Sequence, residues 1–251
     1  MKTVLITGCS SGFGLAIAHY FLDRNWKVIA TMRTPTEGLF AKSEYLRVLA
    51  LDVCEPGSIN RAIEAAGPID VLVNNAGIGL LGALEGISMQ AIREIFETNT
   101  FGTMAMTQAV LPQFRERRGG VVVNVTSSVT IKSLPLLSVY TASKAAVNAF
   151  TESLALELAP FNVRVNLVLP GRAPSTDFGK NAQPRIQGSI PEAYAALAQQ
   201  IFADWAELTK ITETQDVAEA VWLAAIDSTS PMRIVTGADA IELESERVTS
   251  A

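Results

Sequence analysis

The chain has little of what would mark a secreted, metal-binding or nucleic-acid-binding protein. Among its 251 residues there are two cysteines, Cys9 and Cys54, and one histidine, His19. Two cysteines make no disulfide framework and fit a reducing compartment. No His/Cys/Asp cluster has metal-ligand spacing, both cysteines read as small space-fillers, and His19, far from any motif, reads as a surface or capping residue. The net charge is −5 with no basic block, which argues against nucleic acid as a partner. No apolar run reaches the ~18 residues of a membrane span. The start, MKTVLITG, passes from a short apolar segment into a glycine turn with no small-residue cleavage site, so it reads as a core strand rather than a signal peptide. A cytoplasmic location is expected. Aromatics are few, yet 49% of the residues are apolar, enough at this length for a sizeable core. Only the polar stretch Glu242 to Ala251 is expected to be an exception to order.

What is present is an alternation of short β-branched runs with longer helical stretches. Strands are expected at Val4 to Ile6, Lys27 to Thr31, Leu46 to Leu51, Asp70 to Val73, Val121 to Val125, Val163 to Val168 and Arg233 to Val235. Several are apolar on both faces, as in a buried parallel sheet. Helices are expected at Phe13 to Arg24, Gly57 to Ala66, Ser88 to Arg117, Val139 to Leu158 and Glu213 to Ala225. The pattern predicts an α/β fold, a Rossmann-type doubly wound sheet of about seven parallel strands flanked by helices. No repeat or linker divides residues 1–251, which read as a single dinucleotide-binding domain. Residues 171–210 break the rhythm and are too long for an ordinary loop. With a helical-looking Pro191 to Leu208 and apolar Phe178, Ile186, Tyr194 and Trp205, they read as a lid over an apolar substrate.

The first strand leads into TGCSSGFG, residues 7 to 14. Strand, glycine-rich turn and helix together form a cradle for phosphate, because glycines let the backbone approach and a helix N-terminus points N–H groups at negative charge. Gly8, Ser10, Ser11, Gly12, Phe13 and Gly14 are the candidate residues, at a spacing that differs from the common GxGxxG. The second strand ends Ala30-Thr31-Met32-Arg33. A site reading a free ribose 2′-hydroxyl usually offers an acid there. An arginine instead matches a 2′-phosphate in charge and fork geometry, so NADP(H) is expected over NAD(H).

With these stand further motifs in order: Leu51-Asp52-Val53, Asn74-Asn75-Ala76-Gly77, Asn99, Ser127, Tyr140-(x3)-Lys144 and Pro170-Gly171. From Val4 to about Ala240 the chain resembles the short-chain dehydrogenase/reductase family in its single-domain branch. It is most similar there to the NADP-using 17β-hydroxysteroid and retinol dehydrogenases. The resemblance implies that Asp52 and Val53 meet the adenine. It also implies that Asn75, Ala76 and Gly77 line the adenosine ribose and the pyrophosphate side.

Tyr140 and Lys144 lie four apart in a helical stretch and so share one face. A free tyrosine titrates near ~10. A nearby ammonium should lower that value and make proton transfer accessible near neutrality. The resemblance adds that Lys144 holds the nicotinamide ribose, and that Tyr140 protonates the carbonyl oxygen as hydride arrives or takes the alcohol proton in reverse. Ser127 is favoured over Ser128 by its spacing from Tyr140, and would donate to the substrate oxygen. Asn99 would position a water linked to the lysine. After Pro170 and Gly171, a hydroxyl residue should meet the nicotinamide amide, with Thr176 preferred and Ser175 the alternative. Family members usually form homodimers or homotetramers through two long helices, here near Gly102 to Arg117 and Ala142 to Leu158. The activity so implied is a reversible NADP(H)-dependent reduction of a hydrophobic ketone or aldehyde, steroid-, retinoid- or aryl-ketone-like. The alternatives are a non-catalytic NADP(H)-binding sensor on the same fold, which would expect damage at Tyr140 or Lys144, and a longer-branch epimerase, which would need a larger C-terminal substrate domain.

Overall fold

The computed structural model describes residues 1–249. Seven strands form one wholly parallel sheet: β1 (Thr3–Ile6), β2 (Lys27–Met32), β3 (Leu46–Ala50), β4 (Val71–Asn74), β5 (Gly120–Val125), β6 (Val163–Pro170) and β7 (Arg233–Thr236). Their order is β3-β2-β1-β4-β5-β6-β7. Each expected strand is present within one or two residues. The sequence reason is visible in β1, where Val4 and Ile6 face one side and Leu5 the other, all fully buried. Apolar side chains on both faces require a covering layer on each.

One face is covered by α1 (Gly12–Leu22) and α8 (Thr214–Ile226), with Ile17, Phe21, Val217 and Val221 packing on Val4, Ile6 and Val28. The other is covered by α2 (Pro56–Ala66), α4 (Gly102–Arg117) and α5 (Ser138–Leu158). There Met106, Val110, Phe114 and Leu154 meet Leu5, Leu72 and Val122. Strand order reverses between β1 and β4, so the loops at their C-terminal ends diverge and leave a crevice. The motif residues at 7–14, 33, 52–53, 75–77, 127 and 171 all follow the C-terminal ends of strands, β1 to β6 in turn.

The structure departs from expectation in four places. The run Ser88 to Arg117 is not one helix. It is α3 (Met89–Phe96), a π-helical turn over Glu97–Phe101, and α4. Between β6 and α8 lie two helices, α6 (Phe178–Ile186) and α7 (Ala195–Glu207), where one was expected. Glu242 to Ala251, read as an exception to order, is helical as far as described, in α9 (Ala238–Thr249); its last two residues lie outside the described ones. The helix is held at its polar positions by the ion pairs Lys210–Glu242 (2.6 Å) and Lys132–Glu246 (3.0 Å). Finally, Cys54 is exposed rather than space-filling, whereas Cys9 is buried as expected.

Among the described residues no helix is long and apolar enough to cross a membrane, and no group of three His, Cys, Asp or Glu side chains could hold a metal ion.

Candidate active site

The glycine-rich loop bends where the sequence allows it. Gly8 and Gly12 both have positive φ, 75° and 56°, a region that L side chains avoid. Gly14 admits no side chain for a different reason: a Cβ there would collide with the Gly8 carbonyl oxygen. Ser11 caps α1 in an extended conformation without a side-chain hydrogen bond to the helix. Ser10 lies in the turn between β1 and α1, and Phe13 is the second residue of α1.

The loop after β4 is tied to this turn. Asn75 Nδ2 donates to the carbonyls of Thr7 (2.9 Å) and Gly8 (3.2 Å). Thr7 Oγ1 accepts from the backbone N–H groups of Asn75 (3.0 Å) and Ala76 (2.9 Å). Thr7 stood in the sequence motif but was not singled out as a site residue. It serves as a junction between two loops nearly seventy residues apart. Gly77 lies beyond, with Asn99 Oδ1 and Lys144 Nζ both within 3.4 Å of where a Cβ would sit. Its lack of a side chain lets those two groups converge.

On the far side of β1, Arg33 is exposed just past the end of β2 and makes no ion pair among the described residues. Asp52 is half-buried beyond β3, and its Oδ1 accepts from the Cys54 N–H (2.9 Å). Val53 is buried against Gly102 at the start of α4.

Ser127 follows β5 and caps a short 3-10 turn, its Oγ accepting from the Val129 N–H (3.3 Å). Tyr140 and Lys144, one turn apart on α5, are buried, at 8% and 5% exposure. Of the two serines, Ser127 is the one that acts on the Tyr140 phenol. The expected depression of the tyrosine is absent. Burial pushes the phenol up to about 12, against the opposing pull of Ser127. Burial also disfavours the charge of the lysine and lowers it to about 8, so Lys144 has already lost its proton before a phenol at about 12 gives up its own. Lys144 Nζ donates to the Val125 carbonyl (3.1 Å), which leaves two of its three donors for other partners.

Asn99 sits in the π-helical turn, 1% exposed. It brackets the Ile78 backbone, accepting from its N–H (2.8 Å) and donating to its carbonyl (3.0 Å). It also donates to Ser143 Oγ (3.2 Å), whose hydroxyl donates to the Tyr140 carbonyl (2.7 Å). Ser143, which the sequence reading did not single out, thus joins the π turn to the helix carrying tyrosine and lysine. The wide turn is what aims Asn99 at both, and such turns recur at functional positions.

Pro170 ends β6 and Gly171 follows it. Thr176 lies against the glycine loop, its Cβ 3.4 Å from where a Gly12 Cβ would be, and its Oγ1 donates to the Ala173 carbonyl (2.8 Å). Ser175 is exposed. The Phe178 ring packs edge-on to Tyr140, centroids 5.9 Å apart. Thr176 thus adjoins the glycine loop, Phe178 adjoins Tyr140, and Lys144 and Asn99 converge on Gly77 next to the Asn75 loop.

Residues 2–187 match the model of the short chain dehydrogenase family. The chain is 41% identical to retinol dehydrogenase 8 of Bos taurus over 191 residues, which are 71% of this chain and 61% of that protein; the match spans less than two thirds of the bovine protein's length. A short-chain dehydrogenase from Streptomyces avermitilis superposes with a TM-score of 0.83 at 33% identity, covering 99% of this chain and 92% of that one. A short chain dehydrogenase from Burkholderia cenocepacia in complex with NADP superposes with a TM-score of 0.79 at 26% identity, covering 99% and 94%.

Proposed function

This chain belongs to the short chain dehydrogenase family, and we propose that within it the protein is an NADP(H)-dependent oxidoreductase. Its substrates in this reading are hydrophobic ketones or aldehydes and the matching alcohols. The carrying observation is a buried Tyr140 whose phenol feels Ser127, one helical turn from a buried Lys144 that converges with Asn99 on the bare Gly77.

The residues fit a dinucleotide. The start of α1 has no side-chain cap, so its N–H groups can meet a pyrophosphate. Gly8 and Gly12 keep the backbone bare. Asn75, Ala76 and Gly77 would line the adenosine ribose and pyrophosphate side, Asp52 and Val53 the adenine. Arg33, exposed and without an ion pair among the described residues, would take the 2′-phosphate that distinguishes NADP from NAD. The two remaining Lys144 donors would hold the nicotinamide ribose, and Thr176 or the Pro170-Gly171 backbone the carboxamide. When bound, such a cofactor supplies or accepts hydride.

This chain's own residues do the proton work. A phenol pushed up to about 12 is protonated at neutral pH, so Tyr140 Oη is ready to give a proton to a carbonyl oxygen. The Ser127 hydroxyl orients that oxygen and stabilises its developing charge. Running in reverse, Tyr140 must first lose its proton, and an ammonium held at Lys144 by ribose hydroxyls would favour that step. Asn99 acts through Ser143 and Ile78 to hold the geometry.

Residues 171–210 form a lid in this reading, with Phe178 on Tyr140 as its apolar face. That face, with the likeness to a retinol dehydrogenase, supports a hydrophobic substrate. Pairing of copies through α4 and α5 is part of the proposal. Ala142, Ala145 and Ala149 present a low exposed stripe on α5, and Phe101 and Leu156 stand exposed beside it, Leu156 at 79%. Light scattering should read at least twice the 26.8 kDa chain mass.

The decisive test is NADPH oxidation with a panel of hydrophobic ketones and aldehydes, alongside Tyr140→Phe. Turnover that the variant loses while still binding NADPH is the expected result. NADPH binding without turnover on any carbonyl would favour the sensor reading. Turnover indifferent to Tyr140 would reject the assigned chemistry.

A further inference from the structure

The excursion from β6 to α8 leaves the sheet at Gly171 and returns at Thr212. These two roots are joined to each other and to one carboxylate on α9. The Thr212 N–H donates to the Arg172 carbonyl (2.8 Å), and the Gly171 N–H donates to Thr212 Oγ1 (2.9 Å). Asp239, in the first turn of α9, then spans both: Oδ2 accepts from the Arg172 N–H (2.6 Å) and Oδ1 from the Thr212 hydroxyl (2.7 Å). Thr212 is fully buried.

Two glycines are shaped around this junction. A Cβ on Gly171 would collide with both Asp239 carboxylate oxygens, and one on Gly237 with the Thr212 hydroxyl. Gly237 also holds φ at +93°. Two further contacts reinforce the same seam: Lys210 pairs with Glu242, one turn along α9 from Asp239, and Arg172 Nη2 donates to the Leu208 carbonyl (3.1 Å). A charged acceptor receiving two donors from two chain segments is the strong kind of hydrogen bond.

We propose that Asp239 is a positioning residue that clasps the two roots of the lid, and so fixes the placement of Thr176 and Phe178 over the crevice. The carboxylate touches neither crevice nor substrate. Its effect runs through Arg172, four residues before Thr176, and through Thr212. The proposal rests on the lid role assigned above. It also gives Gly171 a reason of its own: the residue must be bare to let the carboxylate in.

The test compares wild type, Asp239→Ala, Asp239→Asn and Thr212→Val by hydrogen–deuterium exchange and by steady-state kinetics. Asp239→Ala should raise amide exchange across 171–212 while the β1, β4 and β5 amides keep wild-type protection. It should also lower kcat/KM by about tenfold, the effect of one lost charge-assisted bond, with the loss carried by KM. Thr212→Val should reproduce the pattern, and the double variant should add little to either. Asp239→Asn should recover most of the activity, since its amide oxygen can still accept from Arg172 while its NH2 donates to Thr212 Oγ1. Unchanged exchange in 171–212 on Asp239→Ala, or a rise spread evenly over the sheet, would overturn the clasp. So would Asp239→Asn behaving no better than Asp239→Ala. If the wild type turns over no carbonyl, the enzymatic reading fails, and the exchange measurement still decides the clasp.

Discussion

Replacing Lys144 with methionine should make the protein more stable and abolish turnover, and the gain should depend on pH in a stated direction. Lys144 is 5% exposed, and among the described residues its ammonium donates only to a neutral carbonyl. Burial lowers it from 10.5 to about 8. At about 1.4 kcal/mol per pH unit, holding a proton there costs the native state ~3 kcal/mol. Losing the bond to the Val125 carbonyl gives back ~1 kcal/mol, and methionine follows the lysine stem in length. The net expected gain at pH 7 is ~2 kcal/mol, or about 4–8 °C in Tm for a chain of this size.

The sign follows from which state holds the proton. Below pH 8 both native and unfolded chains carry it, so the penalty is full. Between about 8 and 10.5 the native lysine is neutral while the unfolded one is still charged, and the penalty fades. Above 10.5 it is gone. Tyr140 and Cys9, both raised to about 12 by burial, titrate alike in wild type and variant and cancel in the difference. Urea unfolding of the two proteins at pH 7 and pH 10 is the assay. A methionine variant no more stable than wild type at pH 7, or one whose advantage is the same at both pH values, would refute the reasoning. The expected outcome would show a residue kept for chemistry at the expense of stability.

Two further results are expected. Arg33→Asp should lower NADPH affinity relative to NADH by at least about tenfold, the effect of one lost phosphate contact reinforced by repulsion; an unchanged ratio in a fluorescence titration would remove Arg33 from the site. Gly14→Ala should cost ~2 kcal/mol or more in urea unfolding and abolish cofactor binding, because the new Cβ meets the Gly8 carbonyl rather than a side chain that can turn away. A variant that binds NADPH normally would show that α1 can shift without loss.

How far the sequence could be read depended on the range of the forces involved. The seven strands were legible because residues such as Val71, Leu72 and Val73 are apolar on both faces, a local pattern. The π turn at Glu97–Phe101 was hidden, since residues 88–117 keep a helical rhythm that one extra residue does not break. Helix α6 was hidden by its polar sequence and internal Pro184. Helix α9 was missed because its support comes from Lys132 and Lys210, far away in the chain. Within the site, Tyr140, Lys144 and Ser127 were legible by spacing, and the structure brings them together. Their electrostatics were not legible. Spacing announces a charge beside a phenol but does not reveal that both are dry; dryness raised the phenol that was expected to fall and lowered the lysine as well. Asp239 carried no signal, as its partners lie 27 and 67 residues away.

The junction at Thr7 sets an order of events as the chain is made. Its hydroxyl gathers N–H groups from Asn75 and Ala76, 68 and 69 positions downstream, and Asn75 closes back on Gly8. A nascent chain that has emerged only to the end of α2 carries the entire glycine motif without the partner loop that fixes it. The geometry of the proposed phosphate cradle is therefore a product of β4 docking beside β1, a sequence-distant step that needs a long loop to close first. A dinucleotide seated across that junction would bind only the docked form. At a free concentration a hundred times its Kd it would add ~2.7 kcal/mol to the stability of the finished protein. In a cell, cofactor supply would then set how much of the newly made chain survives quality control as well as how fast it works.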